Sequence, residues 1–167
     1  MSKNKSTIVF CAHSDDQIIG CGGSMAKFAK QGHDVYTVIF SYGENSHFWL
    51  KKQFSTNMRK KESEAANKII KGKNVKFFGL KESEFKKNKE ETKQKIRLII
   101  ENIKPIRIFI HSINDPHPDH HNVNKIVLET IDNINYKGDV YSFDVWNILN
   151  FNNSNNPRLV INISKTL

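Results

Sequence analysis

The chain of 167 residues has the length of one folded domain, with 38% hydrophobic and 26% charged residues, as in globular proteins. No apolar stretch approaches the roughly 18 residues that a membrane-spanning helix needs, so no membrane span is expected. Two cysteines, Cys11 and Cys21, are too few for a disulfide scaffold. With no signal peptide recognisable at Met1, these features predict a cytoplasmic protein.

The net charge of +9 is concentrated between Lys51 and Arg107, where 18 basic residues face only 7 acidic ones. Most of these basic residues are lysines that alternate with glutamates on helical segments, without interleaved aromatic residues. We therefore do not expect a nucleic-acid partner, although a basic stripe of this kind can bind one. The charge favours an anionic substrate but does not identify it.

In chain order, short apolar stretches alternate with amphipathic ones. Strands are predicted at residues 7–12, 34–41, 75–78, 106–111 and 139–143. Helices are predicted at about residues 22–31, 57–71, 89–103 and 120–134, and a polar loop at 147–156. Strands that are apolar on both faces and separated by helices are typical of a mainly parallel sheet covered on both sides. The sequence therefore predicts one α/β domain over residues 1–167, a three-layer α/β/α Rossmann-like sandwich.

The topology of such a sandwich predicts where a ligand binds. Ligands lie beyond the carboxyl ends of the strands, at the point where the strand order reverses. In this chain that crevice is expected between the first strand, residues 7–12, and the fourth, residues 106–111. The residues that follow these two strands are therefore the candidates for chemistry.

Both loops at this crevice are rich in imidazole and carboxylate groups. The first contains His13, Asp15 and Asp16, and the second contains His117-Pro-Asp119-His120. Nitrogen and carboxylate donors suit Zn²⁺, and three of them leave a coordination position for water. This pattern indicates a hydrolytic metal site rather than a closed structural one.

Three simpler interpretations compete with the metal site. In the first, Asp15 or Asp16 only caps the following helix. In the second, the His-Pro pair only forms a turn. Against these, adjacent aspartates repel each other unless a cation or a proton lies between them. The glycines of residues 20–23 also suggest a dinucleotide loop, but two carboxylates would stand where pyrophosphate approaches. We favour close packing of a helix on the sheet as the reason for these glycines.

The two loops together resemble the PIG-L/LmbE-like zinc-dependent N-deacetylases, whose signature begins Ala-His-Pro-Asp-Asp and returns as His-Pro-Asp-His. The resemblance covers most of the chain. It continues through Gly32-His-Asp-Val35, Ser41-Tyr-Gly43-Glu44, Arg59-x-x-Glu62, Phe77-Phe-Gly-Leu80 and residues 140–147. Ser14 and Gln17 depart from the family pattern, which has proline and glutamate there.

The resemblance implies a role for each residue of the two loops. His13, Asp16 and His120 would ligate one zinc ion per chain, in place of which other divalent transition metals are also compatible. Asp15 would be the general base toward a metal-activated water. His117, as an imidazolium, would stabilise the oxyanion, and Asp119 would orient a neighbouring imidazole.

Substrate contacts are expected from a second group of residues. The resemblance places Arg59 at the substrate; the alternative is a solvated arginine at a helix start, paired with Glu62. Glu44, Asn45 and His47 follow the second strand and either contact the substrate or form an ordinary exposed loop.

The implied function is hydrolysis of an N-acetyl group from an N-acetylglucosamine-type amino sugar or conjugate, a small-molecule or glycan substrate. Two alternatives remain open: another metal-dependent hydrolase acting on a different amide or a phosphoester, and an inactive sugar-binding homologue. The chain ends at Leu167, where family members generally continue through a further helix and loop. The chain is therefore either a short family member or part of a longer chain. A homo-oligomer, in which a neighbouring subunit completes the pocket, is also compatible with the sequence.

Overall fold

The computed structural model describes residues 5–146 and 159–164 and shows five strands and four α-helices. The strands are β1 (Ser6–Cys11), β2 (Asp34–Ile39), β3 (Asn74–Phe77), β4 (Arg107–His111) and β5 (Asp139–Phe143). The α-helices are α1 (Asp16–Lys30), α2 (Lys52–Ile69), α3 (Lys89–Ile103) and α4 (Pro118–Asn133). Two short 3-10 helices, Glu44–His47 and Phe85–Asn88, precede α2 and α3. The polar loop predicted at residues 147–156 lies outside the described residues.

All strand pairs in the sheet are parallel, and the strand order is β3-β2-β1-β4-β5. β1 lies in the centre and pairs with β2 on one side and β4 on the other. The chain builds β2 and β3 outward from β1 and then crosses to the other side for β4 and β5. The strand order therefore reverses between β1 and β4, as predicted, and the α/β fold class is confirmed.

Two hydrophobic clusters cover the two faces of the sheet. On one face, Ile8 and Phe10 of β1 pack with apolar residues of α3 and α4, including Ile96 and Val127. On the other face, β1 residues alternate with these and pack against α1, which contributes Cys21, Met25 and Phe28. The period-two alternation of a buried strand thus supplies both layers of the core.

Two helices begin earlier than the sequence predicted. α1 begins at Asp16, six residues before the predicted start, and its backbone is kinked at Cys21. The kink interrupts the apolar periodicity, which explains why only the second half read as a helix. α2 begins at Lys52 rather than near residue 57, and its buried positions are polar, so its hydrophobic pattern is weak. Within the described residues, no helix is long and apolar enough to cross a membrane.

Among the glycines of α1, Gly20 packs against the sheet, as the sequence predicted, whereas Gly22 does not. A Cβ atom at Gly20 would overlap the ring of Phe143, which is buried at the end of β5. A Cβ atom at Gly22 would instead lie 3.5 Å from Ile18, an ordinary van der Waals contact. These glycines therefore serve different purposes only two positions apart.

This difference predicts opposite effects for two alanine substitutions. Gly20→Ala is expected to lower the free energy of unfolding by about 1–3 kcal/mol, because the Phe143 ring must move. Gly22→Ala is expected to be neutral or to stabilise by up to about 1 kcal/mol, because alanine is the better helix former. Urea unfolding of both variants measures the difference; equal effects would contradict the assigned packing.

Candidate metal centre

The loops that follow β1 and β4 meet at the carboxyl edge of the sheet, around the Asp16 carboxylate. The His13 backbone N–H donates to Asp16 Oδ2 at 2.7 Å. His111 Nε2 lies 3.2 Å from Oδ2, and His120 Nε2 lies 3.4 Å from Oδ1. Burial alone would raise the pKa of Asp16, but these contacts with imidazoles outweigh it and hold the pKa well below its usual value. Asp16 is therefore a buried anion at the centre of the cluster.

His120, like His111, is a completely buried imidazole of the cluster. It stands on the first turn of α4, and its side chain is 0% exposed. Its Nδ1 lies 2.9 Å from Asp115 Oδ1 and its Nε2 lies 3.4 Å from Asp16 Oδ1, but neither nitrogen has a well-formed hydrogen bond among the described residues. A carboxylate beside one ring nitrogen and a buried, unpartnered nitrogen on the other side are what a ligating histidine requires.

His13 lies between two carboxylates. Its Nδ1 is 3.4 Å from Asp16 Oδ2, and its Nε2 is 3.3 Å from Asp119 Oδ2. Burial lowers the pKa of His13, but the hydrogen bonds to Asp119 and Asp16 outweigh burial and raise it to about 10. Asp119 is held in turn by the Ser83 backbone N–H at 3.0 Å. The structure thus places Asp119 against an imidazole, the position that the resemblance implied.

His117 is the N-cap of α4, and this position fixes its ring. Its Nδ1 accepts a hydrogen bond from the Asp119 backbone N–H at 3.1 Å. The proton of the neutral ring therefore lies on Nε2. Burial, followed by the charges of His13 and His120, lowers the pKa of His117. The structure accordingly favours a neutral Nε2–H donor, rather than the imidazolium that the sequence analysis expected.

His111, at the end of β4, supports the cluster from below. It is fully buried, and its ring stacks on His120 with centroids 3.8 Å apart. The Ala12 backbone N–H donates to His111 Nε2 at 3.0 Å, and Asn124 donates to the His111 carbonyl at 2.7 Å. The Ala12 bond thus occupies the Nε2 lone pair of His111, whereas its Nδ1 has no hydrogen-bond partner among the described residues.

Two overlapping groups of three residues bring their ligand atoms within 4.8 Å of one another. These groups are His13-His117-His120 and Asp16-His111-His120. His120 is common to both, and its buried, unpartnered Nε2 fits a metal ion. The N-cap bond of His117 and the backbone bond to His111 engage those two rings. His13 is engaged as well, because its Nε2 lies 3.3 Å from Asp119 Oδ2, so these contacts do not select a ligand set. The set that the resemblance implied, His13, Asp16 and His120, remains a prediction.

Asp15 and Asp16 are consecutive, yet their environments are opposite. The Asp16 side chain is 4% exposed, whereas that of Asp15 is 53% exposed. Asp15 occupies the N-cap position of α1 but makes no capping hydrogen bond with its side chain. Its Oδ1 instead accepts a hydrogen bond from Arg59 Nη2 at 2.9 Å. The helix-cap interpretation therefore does not describe these two aspartates.

The predicted substrate residues occupy the rim of this edge. Arg59 lies in the middle of α2, is buried, and pairs with Asp15, so it is not a solvated helix-start arginine paired with Glu62. Glu44, Asn45 and His47 lie on the 3-10 helix after β2, and each contacts a side chain of the chain itself. Ser41 donates to Glu44, Asn45 donates to Glu82, and His47 Nδ1 lies 3.0 Å from Ser46 Oγ.

Asp115 is a further residue of the site, to which the sequence pattern gave no role. This carboxylate is fully buried and accepts hydrogen bonds from the backbone N–H groups of His117, Val145 and Trp146, besides facing His120. Burial raises its pKa, but these backbone donors outweigh burial and lower it. The sequence signal that could have indicated Asp115 is its position as an acidic residue in the histidine-rich loop, five residues before His120.

Asp115→Asn is expected to weaken metal binding by about 10- to 100-fold, because the loss of an outer carboxylate partner typically has this effect on a ligating histidine. Titration with zinc in the presence of a competing chelator measures the affinity. Asp132→Asn, an exposed residue near the end of α4, is the matched control. An unchanged zinc affinity in Asp115→Asn would contradict the role given to Asp115.

The comparison with known families matches residues 8–131 to the family described as PIG-L, GlcNAc-PI de-N-acetylase. The chain belongs to the PIG-L family. The match includes both loops of the candidate metal centre. Zinc dependence is typical of this family, and its members include deacetylases and a hydratase.

Other PIG-L-type proteins share part of their length with this chain. A 4-oxalmesaconate hydratase from Pseudomonas putida is 29% identical over 120 residues, which are 68% of this chain and 46% of the relative. The N,N'-diacetylchitobiose deacetylase structure from Pyrococcus horikoshii is 20% identical, with a TM-score of 0.72 over 83% of this chain and 60% of its own. The zinc-inhibited form of teicoplanin deacetylase is 16% identical, with a TM-score of 0.70 over 84% and 67%. The chain thus spans about half the length of this hydratase.

Proposed function

We propose that the chain is a metal-dependent hydrolase that removes an N-acetyl group from an N-acetylglucosamine-type amino sugar or conjugate. The observation that carries this proposal is the arrangement around Asp16. Buried donors from His13, Asp16 and His120 stand beside an open carboxylate, Asp15, and a neutral donor, His117. A hydrolytic site needs these three functions within reach of one carbonyl group.

The metal would be held by His13, Asp16 and His120. When bound, a zinc ion supplies Lewis-acid chemistry, polarising an amide carbonyl and lowering the pKa of water toward 7. The Asp16 anion balances part of the charge of such a cation. Because His120 Nε2 makes no hydrogen bond among the described residues, metal binding at this nitrogen breaks no existing hydrogen bond.

Asp15 is placed to act as the general base. It is the half-exposed carboxylate next to Asp16, so that it contacts solvent while the metal donors remain buried. In hydrolysis Asp15 takes a proton from the attacking water, and the oxygen bonds to the acetyl carbon. Asp15 then returns the proton to the nitrogen as the C–N bond breaks, which releases acetate and a free amine.

His117 is placed to stabilise the carbonyl oxygen as negative charge develops on it. Its ring lies over His120, with centroids 4.6 Å apart, and is only partly buried. Since the N-cap bond keeps the proton on Nε2, the ring can donate a hydrogen bond toward the open side of the cluster. A donor fixed in advance stabilises the transition state without reorganisation.

The relatives support this proposal. The Pyrococcus horikoshii enzyme is named for an N-acetylated sugar, N,N'-diacetylchitobiose, and the teicoplanin enzyme is a deacetylase. The experiment is acetate release from N-acetylglucosamine and N,N'-diacetylchitobiose by the zinc-loaded protein. Chelation should abolish the release, and added zinc should restore it. If a protein shown to hold zinc releases no acetate, the deacetylase assignment is wrong.

A hydratase is the second candidate, because the 4-oxalmesaconate hydratase of Pseudomonas putida is 29% identical to this chain. Addition of water to a carbon–carbon double bond needs the same base, and the net charge of +9 suits an anionic substrate. The loss of ultraviolet absorbance of an unsaturated oxo-carboxylate, measured with the same zinc-loaded protein, distinguishes the two. Absorbance loss without acetate release would favour the hydratase.

A further inference from the structure

Arg59 uses every one of its donor nitrogens within the chain. Its Nε donates to the Tyr42 carbonyl at 2.7 Å, Nη1 donates to Ser46 Oγ at 3.2 Å, and Nη2 donates to Asp15 Oδ1 at 2.9 Å. The Arg59 side chain is 10% exposed, although it stands on a helix that is largely exposed. Three of the five N–H donors of the guanidinium are thus bound to acceptors of the chain itself, which fixes the orientation of the group.

The Tyr42 carbonyl joins Arg59 to the loop that carries Asp15. It accepts from Arg59 Nε and also from Ser14 Oγ, at 2.8 Å. Ser14 precedes Asp15 directly, so the loops after β1 and β2 are fastened together at one oxygen atom. The hydroxyl of Ser14, absent from the proline of the family pattern, makes this second bond.

Gly43 leaves the space in which the guanidinium lies. A Cβ atom at this position would be 2.8 Å from Arg59 Nε and 2.9 Å from Arg59 Nη2. The backbone of Gly43 has a φ of 72°, which also favours glycine. A side chain at position 43 would therefore displace Arg59 as well as strain the loop.

We propose that Arg59 is a positioning residue that holds the Asp15 carboxylate in its working orientation, and that Gly43 makes room for it. The proposal rests on the proposed function, in which Asp15 is the general base. It differs from the expected substrate contact of Arg59, since the guanidinium acts on the enzyme's own carboxylate.

The exposure of Asp15 explains why its carboxylate needs a partner that fixes its orientation. Asp15 is half exposed, and its other oxygen, Oδ2, makes no hydrogen bond among the described residues. Without Arg59 the carboxylate would rotate between staggered conformers in solvent. With Oδ1 held, Oδ2 remains available for proton transfer. Misplacement of a catalytic group by 1 Å can reduce the rate by about 100-fold.

The first arm of the test is structural and needs no activity. Crystal structures of the zinc-loaded wild type, Arg59→Lys and Gly43→Ala are compared at the Asp15 side chain. Lysine keeps the charge but lacks the planar fork, so it cannot hold all three acceptors. We expect a single Asp15 conformer in the wild type and several in both variants. A single unchanged conformer in both variants would overturn the proposal.

The second arm separates positioning from substrate binding. Arg59→Lys and Gly43→Ala should each lower kcat by about 10- to 100-fold, with KM for the N-acetylated sugar and zinc content unchanged. A rise in KM with kcat unchanged would assign Arg59 to the substrate instead. Lys60→Gln, which removes an exposed charge from the next position of α2, is the control and should match the wild type.

The two arms also keep this inference apart from the proposed function. If the wild type releases no acetate, the deacetylase assignment fails, while the conformer comparison still decides whether Arg59 holds Asp15. If the wild type is active and both variants are fully active, Arg59 and Gly43 are not positioning residues. Retained zinc in both variants shows that any loss does not come from a collapsed metal centre.

Discussion

Asp15→Asn is expected to keep zinc bound and to lower kcat by at least about 100-fold, since general acid–base catalysis contributes roughly 10²- to 10⁴-fold. The amide has nearly the size of the carboxylate and can still face Arg59, but it cannot accept the proton of water. Asp15 is half exposed and is not one of the three proposed ligands, so metal binding should survive. The measurements are acetate release and zinc content by plasma mass spectrometry.

The matched control for Asp15→Asn is Asp132→Asn, which makes the same chemical change on an exposed part of α4. It should retain the activity of the wild type. Full activity in Asp15→Asn would show that another group takes the proton, and the assignment of the base would be wrong. Loss of zinc in this variant would instead make Asp15 a ligand.

His120→Ala is expected to lose zinc first and activity as a consequence. It removes the buried nitrogen that is common to both candidate ligand groups. Loss of an outer partner already weakens metal binding by 10- to 100-fold, so loss of the ligand should weaken it by more than about 100-fold. Zinc content after dialysis against a weak chelator gives the result.

His121→Ala is the control for this second prediction, because His121 neighbours His120 on α4 but belongs to neither ligand group. It should retain about one zinc per chain. Circular dichroism must show that His120→Ala is folded, since the substitution also leaves a cavity in a buried site. Full zinc content in folded His120→Ala would remove His120 from the metal centre.

Much of the fold could be predicted because the signals were local. The inner strands β1, β2 and β4 are largely apolar runs of five or six residues, and α3 and β5 have the bounds that their patterns predicted. α1 and α2 were placed less well for identifiable reasons. A kink at Cys21 breaks the periodicity of α1, and α2 buries Ser55, Arg59, Ser63 and Asn67 instead of apolar residues.

The buried polar stripe of α2 shows where sequence patterns lose information. Ser63 accepts a hydrogen bond from Gln17 of α1 at 3.0 Å, and Arg59 reaches Asp15. Such residues read as solvent-exposed because their polarity is normally satisfied by water. Here partners distant in sequence satisfy it, so hydrophobicity alone could not reveal the buried face.

The sequence by itself determined the order of strands and helices, and with it the edge of the sheet where the two histidine-rich loops meet. Parallel topology requires this, because the carboxyl ends of β1 and β4 must be neighbours where the order reverses. Only the tertiary structure decided the task of each side chain in those loops. It placed Asp115 beside His120, engaged His111 with the Ala12 N–H, and turned Arg59 onto Asp15. These contacts depend on ångström-scale distances between residues up to 99 positions apart, which no spacing along the chain encodes.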